Sequence, residues 1–246
     1  LATNISQIRS NKHTFETLVE YVSIREKRLK QNLISENTKN EFKTLELKDI
    51  SFKYDDNKIL EKVSFKIDLG EKVLIKGPSG SGKTTLINLI TGLLSPESGQ
   101  VLIDSVPLNN NFLQSLTAYI PQQTFILDDS ITKNVAFGLN EKDIDLRKVK
   151  DSLFQANLKK YVDSLENGLD TIVGEDGSLI SGGQKQRLVL ARAFYFDKKI
   201  IILDESTNSL DKQSEKIILK ELLKNSKNKI IIFVSHQDHT EINFNK

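Results

Sequence analysis

Eight consecutive residues, Gly77-Pro78-Ser79-Gly80-Ser81-Gly82-Lys83-Thr84, constrain this chain more than any others. They satisfy G-x-x-x-x-G-K-[ST], and each fixed place has a physical reason. Gly77, Gly80 and Gly82 let the backbone turn tightly and point its N–H groups inward around phosphates. Lys83 supplies a point charge for the β- and γ-phosphates, Thr84 a hydroxyl ligand for Mg²⁺, and a helix starting there its positive dipole end. A glycine-rich turn before a helix is the plain alternative, and the flanks argue against it. Val73-Leu74-Ile75 is the short apolar run of a strand buried on both faces, and an apolar helix is expected from Lys83 to about Leu93. Strand, loop, helix is the order that phosphate binding requires, and many unrelated ATPases and kinases share it.

Around this loop the periodicity predicts an α/β fold with a mostly parallel core. Ile200-Ile201-Ile202-Leu203 and Ile230-Ile231-Ile232-Phe233-Val234 are further buried strands, with helices expected at Gln184–Phe196 and Lys212–Leu223. Alternation at Leu45, Leu47, Ile50, Phe52 and Tyr54, then at Val63, Phe65 and Ile67, predicts an antiparallel β subdomain. A helical subdomain is expected at about 123–196, with Leu146, Val149, Leu153, Leu158, Val162 and Leu165 in helical period. Upstream, Ile5, Ile8, Phe15, Leu18, Val19, Val22 and Leu29 mark an amphipathic helix within 1–31, and 32–41 reads as a linker to a domain at 42–246.

The balance of 35 basic and 33 acidic residues, net +2, gives no support for nucleic acid or anionic lipid as partner. The absence of cysteine excludes disulfides, thiolate metal sites and a cysteine nucleophile. No stretch approaches the apolar length of a spanning helix. The absence of methionine, even at position 1, leads us to expect an excised domain.

Two further clusters carry chemistry. Asp204 and Glu205 follow a buried strand at the carboxyl edge, where open α/β sheets place ligands. Asp204 suits Mg²⁺ held through water, and Glu205, on the other side of the pleat, suits a general base for water. A solvated turn or helix cap is the bland alternative. Ser181 is a good N-cap, and Gly182 and Gly183 leave helix N-terminal amides open, a second anion site; a merely capped helix is the alternative here.

Ile180-Ser181-Gly182-Gly183-Gln184, with Lys185-Gln186-Arg187 after it, closely resembles the L-S-G-G-Q signature of ATP-binding cassette proteins. The resemblance covers about residues 42–240 and implies an ATPase working as a head-to-tail pair, with Ser181 to Gln184 meeting the γ-phosphate held by a second copy. It implies ATP and Mg²⁺ as cofactors. Nucleotide contacts would come from Tyr54, Gly77 to Thr85, Asp204, Ser181 to Gln184 and Asp211, with Tyr54 stacked on adenine or, alternatively, an ordinary strand tyrosine. Metal contacts would come from Thr84, Gln122 and Asp204. Catalysis would rest on Glu205, His236, Lys83 and Gln122; Gln123 and His239 are neighbouring competitors for two of these places.

Thr171-Ile172-Val173-Gly174-Glu175-Asp176-Gly177 resembles the loop of exporters whose acidic residue touches transmembrane domains. This implies transmembrane domains fused upstream, contacted near Gln122 and Glu175, at the cytoplasmic face of a membrane, the bacterial inner membrane in the first instance. A solvated extension is the alternative for the first helix. A soluble cassette ATPase of DNA repair or translation, and a nucleotide sensor without turnover, are the rival functions. Ile180 for leucine and Ser206-Thr207-Asn208 for A-T-S depart from the pattern without removing a catalytic group; only Gln237 to Lys246 follow His236, where the resemblance implies further strands and a helix, so a short C-terminus is expected.

Overall fold

The strands Ile200–Asp204 (β7) and Ile230–Val234 (β8) are apolar at nearly every position because both of their faces are covered. Side chains alternate across the pleat, so Ile200, Ile202, Ile230, Ile232 and Val234 join one hydrophobic cluster while Ile201, Leu203, Ile231 and Phe233 join another. With Lys72–Ile75 (β3) and Thr117–Ile120 (β6) they form a parallel sheet of order β3-β8-β7-β6. The computed structural model describes residues 42–122, 124–204, 219–220, 222–224, 226–235 and 244–245. The expected amphipathic helix within 1–31, the linker at 32–41 and most of the helix Lys212–Leu223 lie outside these residues.

One face of the parallel sheet packs on the helix Lys83–Ile90 (α1) and on a second sheet. That sheet is antiparallel, order β2-β1-β4-β5, with Thr44–Tyr54 (β1), Asn57–Asp68 (β2), Ser98–Ile103 (β4) and Val106–Pro107 (β5). Leu45, Leu47 and Ile50 point from β1 into the shared core, as their alternation predicts. The short helix Asn110–Leu116 (α2) is capped by Asn109 and leads into β6. Helix α1 stops at Ile90, short of Leu93, because Gly92 follows in the left-handed conformation with φ 72°.

The other face carries helices. Ile131–Val135 (α3), Leu146–Gln155 (α4), Lys159–Asp163 (α5) and Gly182–Tyr195 (α6) pack there. Asp145 caps α4 by accepting from the amides of Arg147 and Lys148.

Arg192 on α6 ties the segment between Phe125 and Phe137 to this layer. Its guanidinium donates to the carbonyls of Asn134 at 2.6 Å and Phe125 at 2.7 Å and to Asn134 Oδ1 at 2.7 Å, and stacks 5.0 Å over the Phe137 ring. Burial lowers its pKa to about 10. Asn134, fully buried, passes the order on through its amide to the carbonyls of Leu127, Asp129 and Ser130. Arg192→Leu strips the guanidinium from these acceptors, two of them on buried Asn134, and should cost about 3 kcal/mol. The urea midpoint checks this; an unchanged midpoint would contradict it.

Candidate nucleotide-binding site

Three strands of the parallel sheet end at one cleft. The loop after β3 (Gly77–Gly82), the residue two beyond β6 (Gln122) and the last residue of β7 (Asp204) all sit at the carboxyl edge. There they line a cleft of about 460 Å³ together with Ser79, Gly80, Gly82, Lys83, Thr84, Thr85 and Ile59. Residues far apart in the chain converge because parallel strands present their carboxyl ends on the same side.

The loop needs its glycines for two different reasons. Gly80 and Gly82 hold φ of 78° and 87°, where a side chain is strained. Gly77 has an ordinary backbone, but a Cβ there would lie 2.8 Å from Ser81 Oγ. At Gly82 crowding adds to strain, since a Cβ would meet Ile59 and Leu60 at 3.1 Å. Helix α1 begins at once after Gly82 with no side-chain cap, so its first N–H groups face the cleft unbonded to any cap. The Lys83 ammonium donates to the carbonyls of Gly77 at 2.7 Å and Pro78 at 2.8 Å, across the mouth of the loop. Thr84 is exposed to the cleft, whereas Thr85 is buried beneath it.

Opposite Lys83, Asp204 accepts a hydrogen bond at Oδ2 from the hydroxyl of Tyr119, 2.7 Å away. Burial, and then that carboxylate, push the Tyr119 phenol well above its usual pKa, so it stays protonated as a donor. Gln122 completes this side of the cleft and is itself exposed. The donors here are a hydroxyl, a carboxylate and a side-chain amide, all hard oxygen ligands of the kind Mg²⁺ takes beside phosphate oxygens. The set fits that ion.

Ser181 to Gln184 forms a separate device. Ser181 Oγ accepts from the Gln184 amide at 3.3 Å while Gln184 Oε1 accepts from the Ser181 amide at 2.7 Å, a reciprocal capping box at the start of α6. A Cβ on Gly182 would meet nothing within 4 Å, so this helix end is open for something to approach. These residues do not line the Lys83 cleft. Glu175 is exposed in a tight turn, Glu175–Gly177, that holds Asp176 at φ 48°.

Tyr54 closes β1, is 47% exposed and makes an edge-to-face contact with Phe52 at 4.9 Å; it does not line the cleft. About half of Tyr54 is exposed, as on an ordinary strand tyrosine, and that half is accessible to a flat partner. Glu205, Asp211 and His236, with their competitors Gln123 and His239, lie outside the described residues. Ile59, which lines the cleft, and Tyr119, which bonds Asp204 behind it, escape sequence reasoning. Ile59 carries no polar group to signal it, and Tyr119 becomes visible only through the register of β6 with β7.

Comparison with known proteins identifies the family. The sequence profile of the family described as "ABC transporter" matches residues 60–208. The chain is 38% identical over 201 residues to the "ATP-dependent lipid A-core flippase" of Paraburkholderia xenovorans (strain LB400), a match covering 78% of this chain and 33% of the relative. Against the protein of the same name from Idiomarina loihiensis, identity is 39% over 194 residues, 77% of this chain and 33% of the relative. The chain thus spans about a third of the length of these curated relatives. A solved structure of a bacterial Atm1-family ABC exporter with ATP bound superposes with a TM-score of 0.77 at 29% identity, over 84% of this chain and 36% of that one. The chain belongs to the ABC transporter family, and the cleft at Lys83 lies in its ATPase domain.

Proposed function

We propose that this chain is the ATP-hydrolysing engine of a membrane exporter, working as two copies head to tail. The observation that carries it is the cleft in which Lys83, Thr84, Gln122 and Asp204 converge from three strand ends. The amides of Gly77–Gly82 and of the first turn of α1 wrap the phosphates. Lys83 turns from the carbonyls of Gly77 and Pro78 onto the β- and γ-phosphates, exchanging two neutral acceptors for charged oxygens. Thr84, Gln122 and Asp204 would hold Mg²⁺, which would supply charge neutralisation to the bound phosphates. Tyr54 stacks on adenine.

Water attacks in line with the bond to the leaving oxygen, oriented by Glu205 and His236. Two features support these assignments. Glu205 directly follows Asp204, the last residue of β7, which lines the cleft. The strand β8, which precedes His236 by two residues, runs between the strands that bear the phosphate loop and Asp204. The γ-phosphate meets Ser181 to Gln184 of the second copy, which supports a partner because this chain's own Ser181 does not line its own cleft. ATP favours the closed pair, and hydrolysis reopens it.

The relatives' names support export of an amphiphilic lipid as the first cargo to test, with transmembrane domains fused upstream and touched near Gln122 and Glu175. Among the described residues no helix is long and apolar enough to cross a membrane. Phosphate release by the chain, with Mg²⁺ present and then chelated, tests the engine. Turnover should fall to background on chelation. Turnover that persists without a divalent ion would contradict the assignment of Thr84, Gln122 and Asp204. For the exporter, the full transporter's turnover should rise on adding the lipid in vesicles, and indifference to every lipid tried would remove the lipid proposal.

A further inference from the structure

We propose that Tyr119 is a positioning residue for the metal-side carboxylate: its hydroxyl occupies Oδ2 of Asp204, fixes the carboxylate's rotation and leaves Oδ1 as the oxygen offered to the cleft. The inference rests on the reading of Asp204 as a ligand of the ion, direct or through water, and deepens it.

Register brings the two residues together. Strands β6 and β7 are parallel neighbours, with Tyr119 opposite Ile202 and Ile120 opposite Leu203. Side chains alternate, so Tyr119, Ile202 and Asp204 share one face of the sheet, the face covered by α1. Asp204 lies two residues beyond the partner of Tyr119, about 7 Å along the strand. That is roughly the reach of a tyrosine from its Cα, and the contact closes at 2.7 Å. The ring packs into the apolar cluster with Ile202, which anchors it and leaves the hydroxyl as its one polar contact with this carboxylate. A phenol carries a single proton, and here it is committed to Oδ2.

A carboxylate at a strand end with no such partner samples several rotations and must be ordered each time an ion arrives. Held at one oxygen, it is ordered beforehand, and this cost is removed from ion binding. The hydroxyl is also the one group here that distinguishes tyrosine from an apolar residue of the same shape. If Tyr119 serves packing alone, phenylalanine replaces it silently.

The test is the coupling between metal and nucleotide. The affinity of the full chain for the non-hydrolysable analogue adenylyl imidodiphosphate is measured in excess Mg²⁺ and again in chelator, and the ratio of the two is the coupling. Tyr119→Phe should leave the affinity in chelator within about 2-fold of wild type and reduce the coupling about 10-fold or more, the lower end of what one hydrogen bond to a charged group contributes. Asp204→Asn should reduce it at least as far. Tyr119→Leu, which also lacks the hydroxyl, serves as a second variant and should reproduce the Tyr119→Phe loss. Full coupling in both Tyr119 variants beside a loss in Asp204→Asn would overturn the positioning role alone. Full coupling in Asp204→Asn would overturn the metal-side reading and the inference with it. A loss in Tyr119→Phe of equal size with and without Mg²⁺ would show damage to the phosphate loop and would also overturn the proposal.

Discussion

Replacing Glu205 by glutamine should lower ATP turnover by about 100-fold or more, the lower end of what a positioned general base contributes. The substitution is nearly isosteric, keeps a hydrogen-bond acceptor near the water and removes only the ability to take its proton. Binding should survive, because the phosphate loop, Lys83 and Asp204 are untouched. The consequence is a trapped state. If ATP closes two copies and cleavage reopens them, a chain that binds without cleaving accumulates as an ATP-dependent dimer. Phosphate release and size-exclusion chromatography read the two halves separately. Undiminished turnover would remove Glu205 from the role of base; lost turnover with no dimer at any ATP concentration would leave the base intact and contradict the closure.

Lys83→Ala should act earlier, at binding and at the transition state together. In the structure its ammonium bridges the carbonyls of Gly77 and Pro78 at the loop mouth, so its loss both frees the loop and removes the charge meant for the β- and γ-phosphates. Loss of one preorganised donor to the developing charge costs about 10²- to 10³-fold in turnover. ATP affinity should fall more than ADP affinity, because the γ-phosphate is the group that loses its partner. Lys83→Arg should not rescue, since a planar fork does not fit the place of a compact point charge between two carbonyls. Nucleotide binding by fluorescence and phosphate release measure both effects, and Lys83→Ala turnover within about 10-fold of wild type would contradict them.

Much of this site is legible in the amino-acid sequence alone. Val73–Ile75, Ile200–Leu203 and Ile230–Val234 read as doubly buried strands because nothing polar interrupts them, and all three lie in one parallel sheet. Ser181 and Gln184 signal a helix start, and they cap each other as their spacing allows. Other elements give no such signal. The strand Ser98–Ile103 opens Ser-Gly-Gln and has three consecutive buried residues at its end, so it shows neither alternation nor a long apolar run. The strand Thr117–Ile120 is four residues long and includes a tyrosine whose purpose depends on a partner 85 residues away. Arg192 reads as an ordinary charge on a helix, yet it organises the segment from Phe125 to Phe137 through carbonyls that have no sequence signature. Local periodicity reports burial; it does not report which distant backbone or carboxylate a polar side chain will meet.

Gly77–Thr84 is, on this reading, half a site, completed by Ser181 to Gln184 of a second copy. The chain contains no cysteine, so engineered pairs report contacts without background. A Ser79→Cys chain and a Gly182→Cys chain, both in the Glu205→Gln background, are mixed under mild oxidation. Gly182 tolerates the change because a Cβ there meets open space. A disulfide joining the two different chains, formed with ATP and absent with ADP, is the expected result. An ATP-dependent dimer that yields no such disulfide, or one that joins only identical chains, would contradict the shared site.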